Sequence, residues 1–121
     1  MTTTTTSLAN PIGSKIIIDL EANAVPEDAA ITGAATLYQI RIDNTNNTNP
    51  VYLKILDATS ATAGSSEPNF VLECPASSKA SMVSTSGLAL SNGLSFWCVT
   101  TNDVQGVTPP TNAVEVRILA S

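Results

Sequence analysis

Histidine is absent from the 121 residues, which excludes Ser-His-Asp and Cys-His catalysis and removes the commonest metal ligand. Charged residues are scarce as well, at 12% compared with about 25% in typical domains. The five bases are scattered along the chain: Lys15, Arg41, Lys54, Lys79 and Arg117. Because phosphate recognition needs grouped lysines and arginines, this scatter disfavours nucleic acid as a partner.

Long apolar runs are also missing, and a membrane span needs about twenty consecutive apolar residues. We therefore expect no membrane association. The segment from Met1 to Ser7 lacks the basic and apolar parts of a signal peptide, so we expect folding in a cytosol. Cys74 and Cys98 match no metal motif. A reducing cytosol favours two small buried thiols, with a disulfide between neighbouring strands as the alternative.

Apolar residues make up 43% of the chain, enough for one core, and most of the remaining surface is Thr, Ser, Asn and Ala. Residues 1–14 begin with a threonine tract and continue through Asn10-Pro11 and Gly13-Ser14, which are turn residues. Low-complexity polar sequence of this kind cannot bury itself. We predict an extended N-terminal arm over 1–14 and a single β-sandwich domain over 15–121.

From Lys15 onward, apolar residues alternate with polar ones, which is the period of a half-buried β-strand. In Lys15–Glu21, for example, Ile16, Ile18 and Leu20 share one face. The predicted strands are Lys15–Glu21, Leu37–Asp43, Val51–Leu56, Phe70–Cys74, Lys79–Ser84, Gly87–Leu90, Leu94–Thr101 and Ala113–Leu119. Without a helical segment, this pattern predicts an all-β, antiparallel β-sandwich or jelly-roll-like fold of seven to eight strands.

The connecting segments suggest how these strands join. The asparagine-rich segment Asn44–Pro50 predicts a hairpin between Leu37–Asp43 and Val51–Leu56. The long polar segment Asp57–Pro68 predicts the crossover between the two sheets. Asn92-Gly93 supplies the positive φ of a two-residue hairpin turn.

No catalytic, cofactor-binding or metal-binding residue is predicted. The segment from Asp43 to Asn47 resembles a calcium loop, but Thr48 and Lys54 stand where an EF-hand needs Gly and Glu. A carboxylate pair could serve a glycosidase, yet most of the ten acids alternate outward or lie in loops. Trp97 lies opposite Phe96 in the alternation and either packs under a loop or the arm, or contacts another subunit.

Three segments resemble small structural proteins of tailed bacteriophages, including cyanophages. They are Leu37–Asn44 with Val51–Asp57, Gly87–Phe96 with Thr100-Thr101, and Pro110–Val116, so the likeness spans about 35–119. It is a likeness of strands and turns, without a catalytic signature. The resemblance implies a non-enzymatic virion component, assembled in the bacterial host cytoplasm. Small β-sandwich proteins of that class include trimeric capsid decoration (cement) proteins as well as components of necks, baseplates and fibres, and the resemblance does not choose among them.

A polar arm on a small domain suits a clamp that adds backbone hydrogen bonds along a neighbouring subunit. The expected partners are the major capsid protein or other virion subunits, and a homo-oligomer, with a trimer favoured. Tail, neck, baseplate or fibre components, adhesive ones among them, are the alternative. The 4% aromatic content weakens the further hypothesis of a lectin or carbohydrate-acting enzyme. The predicted intersubunit contacts are Thr2, Thr3, Thr4, Thr5, Thr6, Leu8 and Trp97.

Overall fold

A computed structural model of the chain describes residues 3–7 and 13–121, and these residues form nine β-strands and no helix. The strands are β1 (Thr3–Ser7), β2 (Lys15–Ala22), β3 (Glu27–Thr32), β4 (Ala35–Asp43), β5 (Val51–Leu56), β6 (Phe70–Cys74), β7 (Lys79–Leu90), β8 (Gly93–Val99) and β9 (Val114–Ala120). Within this part of the chain, no helix is long and apolar enough to span a membrane.

The strands form two antiparallel sheets. One has five strands in the order β1-β2-β9-β4-β7, and the other has four in the order β3-β8-β5-β6. Without β1, the two sets of four strands have the order of an eight-stranded jelly roll, which is built from two Greek keys. The predicted all-β sandwich is confirmed, with β1 added at one edge.

Alternating side chains from both sheets fill the space between them. Val114, Val116 and Ile118 of β9 are buried there, while the residues between them point outward. Phe96 belongs to the same apolar core, whereas its neighbour Trp97 does not. The expectation that one of these two aromatic side chains faces away from the main core is therefore confirmed.

Nine strands replace the predicted seven to eight, for local reasons. β3 has the sequence Glu-Asp-Ala-Ala-Ile-Thr, which shows no alternation, and β1 is all threonine and serine. Two predicted strands, Lys79–Ser84 and Gly87–Leu90, are parts of the single strand β7, in which Gly87 adopts a φ of 81°. The register of β7 against β4 shifts between the pairs Leu37–Leu88 and Gln39–Val83, where β7 has four residues and β4 has one, so the extra residues lie on β7.

Three predicted connections are wrong. β4 and β5 lie in different sheets, so Asn44–Pro50 crosses the sandwich instead of forming a hairpin. β5 and β6 are neighbours in one sheet, so Asp57–Pro68 is a hairpin loop and not the crossover. The turn before Gly93 passes from β7 in one sheet to β8 in the other. Alternation reveals which residues form strands, but it does not reveal which sheet receives them.

Candidate interaction surfaces

The outer face of the five-stranded sheet places two arginines side by side. Arg41 of β4 and Arg117 of β9 are exposed and directly opposite each other in the antiparallel register. Like charges at such positions destabilise a sheet, because opposing Cβ atoms are only about 5 Å apart. In the part of the chain that the structure describes, neither arginine takes part in a salt bridge. We call this pair the arginine row.

A row of acids lies next to the arginine row. Asp43 of β4 is opposite Glu115 of β9; Asp43 follows Arg41 by two residues, and Glu115 precedes Arg117 by two. The Thr45 hydroxyl donates a 2.7 Å hydrogen bond to Asp43 Oδ1 and the Thr45 N–H donates one of 3.0 Å, which lowers the pKa of Asp43. Lys79 Nζ, 3.8 Å from Asp43 Oδ2, lowers it further. We call Asp43 and Glu115 the acidic row.

Beside both rows, β2 presents apolar side chains to the outside. Ile16 and Ile18 are only half-buried, and Leu20 is 42% exposed. Ile17, between the first two, is fully buried in the core, so β2 is apolar on both faces. Antiparallel sheets with one solvated face usually alternate between apolar and polar residues, and β2 departs from that pattern. We call Ile16, Ile18 and Leu20 the apolar stripe.

The part of the predicted arm that the structure describes lies on its own domain. Thr3 to Ser7 form β1, which pairs along its length with β2, from Thr3 opposite Asp19 to Ser7 opposite Lys15. One edge of β1 therefore faces β2, and the other pairs with no strand of the described residues, so it is the free edge of the five-stranded sheet. Among the predicted contact residues, Thr3, Thr4, Thr5 and Thr6 thus belong to an edge strand, and Thr2 and Leu8 lie outside the described residues.

Trp97 does not present a contact surface on this chain, because its side chain is only 1% exposed. It lies on the outer face of the four-stranded sheet, directly opposite Lys54 in the register of β5 and β8. Lys54 is fully buried, and its Nζ donates to the carbonyl oxygen of Asp103 in the loop before β9. The prediction of an intersubunit contact at Trp97 is therefore corrected: connecting segments of the same chain enclose this face.

Two connecting segments contribute to this enclosure. The Ser95 hydroxyl donates a 2.8 Å hydrogen bond to the Ala58 carbonyl in the loop between β5 and β6. A Cβ atom at Gly64 of the same loop would lie 2.7 Å from Val107 Cγ1, so this loop contacts the one that precedes β9. Burial under these segments lowers the pKa of Lys54, whereas the nearby Asp103 carboxylate raises it.

One carboxylate points into the sandwich. Asp19 of β2 is fully buried, its Oδ1 accepts a 3.0 Å hydrogen bond from the Glu21 N–H, and its Oδ2 has no partner among the described residues. Burial raises the pKa of Asp19, and the nearby negative charge of Glu27 raises it further. The carboxyl group lies here at a cost to stability, since an unpaired buried polar atom loses its hydration.

The asparagines that resemble a calcium loop instead fasten one corner of the sandwich. Asn44 Nδ2 donates to the carbonyl oxygens of Asn49 and Pro75, both at 3.0 Å. Asn47 Nδ2 donates to Asn44 Oδ1 at 2.9 Å, and Asn47 Oδ1 accepts from the Asn112 N–H at 2.7 Å. The amide groups of these two side chains are therefore hydrogen-bonded within the fold. No group of three or more Cys, Asp or Glu residues suited to a metal occurs in residues 3–7 and 13–121.

Both cysteines are buried free thiols. Burial raises the pKa of Cys98 to about 12, and burial also raises that of Cys74. Reactive cysteines need a low pKa and access to solvent, so these two side chains act as small apolar groups of the core.

Sequence reasoning missed the arginine row. The alternation did place Arg41 and Arg117 on the outer faces of their strands, but it gave no sign that β4 and β9 are neighbours. No family model, curated protein or solved structure matches the chain.

Proposed function

We propose that this chain is a non-enzymatic structural subunit of a virion and that it decorates the outside of a capsid. The jelly-roll strand order supports the proposal, because viral capsid domains share this architecture with lectins and cupins. The sequence supports the same proposal, because residues 35–119 resemble structural proteins of tailed bacteriophages. The proposed partners are the major capsid protein and other virion subunits.

The free edge of β1 is the observation that carries the proposal. Natural proteins guard exposed sheet edges with lysine, proline, bulges or inward-pointing charges. β1 consists of four threonines and one serine, and its pairing with β2 is regular from end to end. An uncharged, regular edge of this kind accepts an extended strand from a neighbouring subunit through backbone hydrogen bonds.

Such a contact suits decoration better than it suits tight binding of a single ligand. A five-residue edge forms few hydrogen bonds, and each contributes only about 1 kcal/mol net. Many copies on one particle add these weak contacts together, because each bound subunit holds its neighbours at high effective concentration. The subunit would then reinforce the shell without a catalytic step.

The acidic side chains support a structural role as well. Asp57 accepts hydrogen bonds from the N–H groups of Ser91 and Asn92, and Asp28 accepts one from Ala61. Asp43 holds Thr45 in the same way. These carboxylates stabilise the segments between strands by accepting backbone hydrogen bonds, a structural role that involves no substrate.

Capsid occupancy tests the proposal through one position of the edge strand. Thr5 is exposed and lies opposite Ile17, so Thr5→Lys puts a charge on the inward side of the edge, where it blocks strand addition. Thr5→Ser is the matched control. We expect purified wild-type protein and Thr5→Ser to bind capsids that lack the protein, and Thr5→Lys to bind at least about tenfold more weakly, which corresponds to about 1.4 kcal/mol.

Equal occupancy by all three proteins would contradict the role of the β1 edge, and failure of the wild type to bind capsids would contradict decoration itself. The alternative, a tail, neck, baseplate or fibre component, differs in stoichiometry. Gel densitometry of particles against the major capsid protein separates the two, because decoration needs copy numbers comparable with that of the shell subunit.

A further inference from the structure

The outer face of the five-stranded sheet carries a pattern of charge that is complementary to itself. The arginine row (Arg41, Arg117) and the acidic row (Asp43, Glu115) are parallel and occupy the same two central strands, β4 and β9. Two residues of a strand separate them, which is about 7 Å. On these two strands a positive pair and a negative pair thus stand side by side, and Lys79 of β7 lies next to Asp43 at the outer end of the acidic row.

We propose that this face binds the same face of a second copy of the chain around a two-fold axis. The axis lies in the contact plane, runs across the strands and passes midway between the two rows. Rotation about it places the arginine row of each copy over the acidic row of the other. Arg41 then faces Asp43 of the second copy and Arg117 faces its Glu115, so four ion pairs form across the contact.

The apolar stripe of β2 fits the same operation. Since the axis crosses β2 at right angles, the stripe of one copy lies over the stripe of the other. Ile18 then packs near Leu20 of the second copy, which removes from water apolar side chains that the isolated domain leaves partly exposed. The contact also gives the two arginines opposite charges to face, which offsets their mutual repulsion.

The size of the face predicts a weak contact. Five strands about 4.8 Å apart, taken at the seven-residue length of the central strand β9 and at about 3.3 Å per residue, cover about 24 by 23 Å, or about 550 Å² per copy. The total of about 1,100 Å² lies just below the range of stable interfaces. We therefore expect a dimer that dissociates on dilution and, because ion pairs contribute, on addition of salt.

A two-fold contact differs from the trimer expected from the sequence. Two-fold contacts bring the same patch of both copies together, whereas three-fold contacts join two different patches. The rows described here are complementary to themselves, and this property favours the two-fold arrangement. The contact uses the sheet face and not the β1 edge, so it is independent of the proposed binding to a capsid.

Charge reversal on β9 provides a test with a built-in rescue. Arg117→Glu leaves two glutamates on β9 that repel those of an identical copy, and Glu115→Arg leaves two arginines that do the same. Mixed together, the two variants are complementary at all four positions of the contact. Glu73→Arg, exposed on β6 of the other sheet, is the matched control for charge.

Analytical ultracentrifugation at low salt measures the outcome over a range of protein concentrations. We expect wild type and Glu73→Arg to form dimers, each β9 variant alone to dissociate at least about tenfold more readily, and the equimolar mixture to recover the dimer. Circular dichroism spectra and melting temperatures identify any variant that fails to fold. A wild type that stays monomeric or forms trimers, variants that dimerise like the wild type, or folded variants whose mixture does not recover the dimer would each overturn the proposal.

Discussion

Replacement of Asp19 by Asn is expected to stabilise the protein at neutral pH. The wild-type carboxylate is fully buried, and Oδ2 lacks a partner among the described residues. Thr3, directly opposite on β1, has a buried hydroxyl oxygen that also lacks one there. Asn at position 19 keeps the oxygen that accepts from the Glu21 N–H and removes a group whose ionised form is disfavoured by burial.

The magnitude follows from the cost of an unpaired buried polar group, about 1–3 kcal/mol. We take a gain of about 1.5 kcal/mol, since Oδ1 is already paired and remains so. Unfolding entropy near about 2.1 cal/mol/K per residue amounts to about 0.25 kcal/mol/K for 121 residues. The melting temperature of Asp19→Asn should therefore rise by about 6 °C.

The gain should depend on pH in a defined direction. Burial raises the pKa of Asp19 above its ordinary value of 3.8, so the folded state holds this proton more tightly than the unfolded state does. Wild-type stability from this group is thus fully present below about pH 3.8 and is lost as pH rises through the raised folded pKa. Asn does not titrate, so the difference between the two proteins should open with increasing pH.

Urea unfolding of both proteins from about pH 3 to about pH 8 measures this difference, in which the titration of the other carboxylates cancels. Glu67→Gln, in an exposed loop, is the control for loss of one carboxylate. A variant less stable than wild type at neutral pH, or a gain that does not change with pH, would refute the reasoning.

Two further changes test the enclosed parts of the fold. Trp97→Ala should lower the free energy of unfolding by about 3–5 kcal/mol because the side chain is fully enclosed. Urea titration followed by circular dichroism measures this loss. A loss below about 1 kcal/mol would show that the side chain is not enclosed. Asp57→Ala should lower the melting temperature because its carboxylate accepts from the N–H groups of Ser91, Asn92 and Gly93. These bonds lower the pKa of Asp57, so the deficit of the variant should be full at neutral pH and should vanish in acid below that pKa.

Strand positions could be predicted wherever the strand has one buried face. β9 alternates cleanly and β4 alternates from Ile40 onward, and their predicted ranges agree with the structure to within two residues. β3 and β1 lie at sheet edges, where fewer neighbours demand apolar side chains, and neither could be predicted from alternation. Trp97 is buried although it lies on the outer face of its sheet. Alternation could not predict this burial, because the loops that cover Trp97 follow no periodic rule.

The candidate surfaces were predictable only in part. The threonine tract was singled out by composition, but its pairing with β2 was not, because threonine and serine carry no pattern of register. The acidic row and the arginine row contain residues that alternation already placed on outer faces. Alternation placed Ile16, Ile18 and Leu20 on the apolar face of a half-buried strand, whereas the structure turns that face outward and buries Ile17 and Asp19 instead. Their assembly into one surface required the order β2-β9-β4.

The sequence by itself determined that the chain is all-β and which face of most strands is buried, because side-chain alternation is a local property of extended backbone. Tertiary structure alone decided which strands are neighbours, since backbone hydrogen bonds between strands are the same for every pair of residues. The meeting of Arg41 with Arg117 depends on that choice, for the two residues lie on strands that are far apart in the sequence and adjacent only in the sheet.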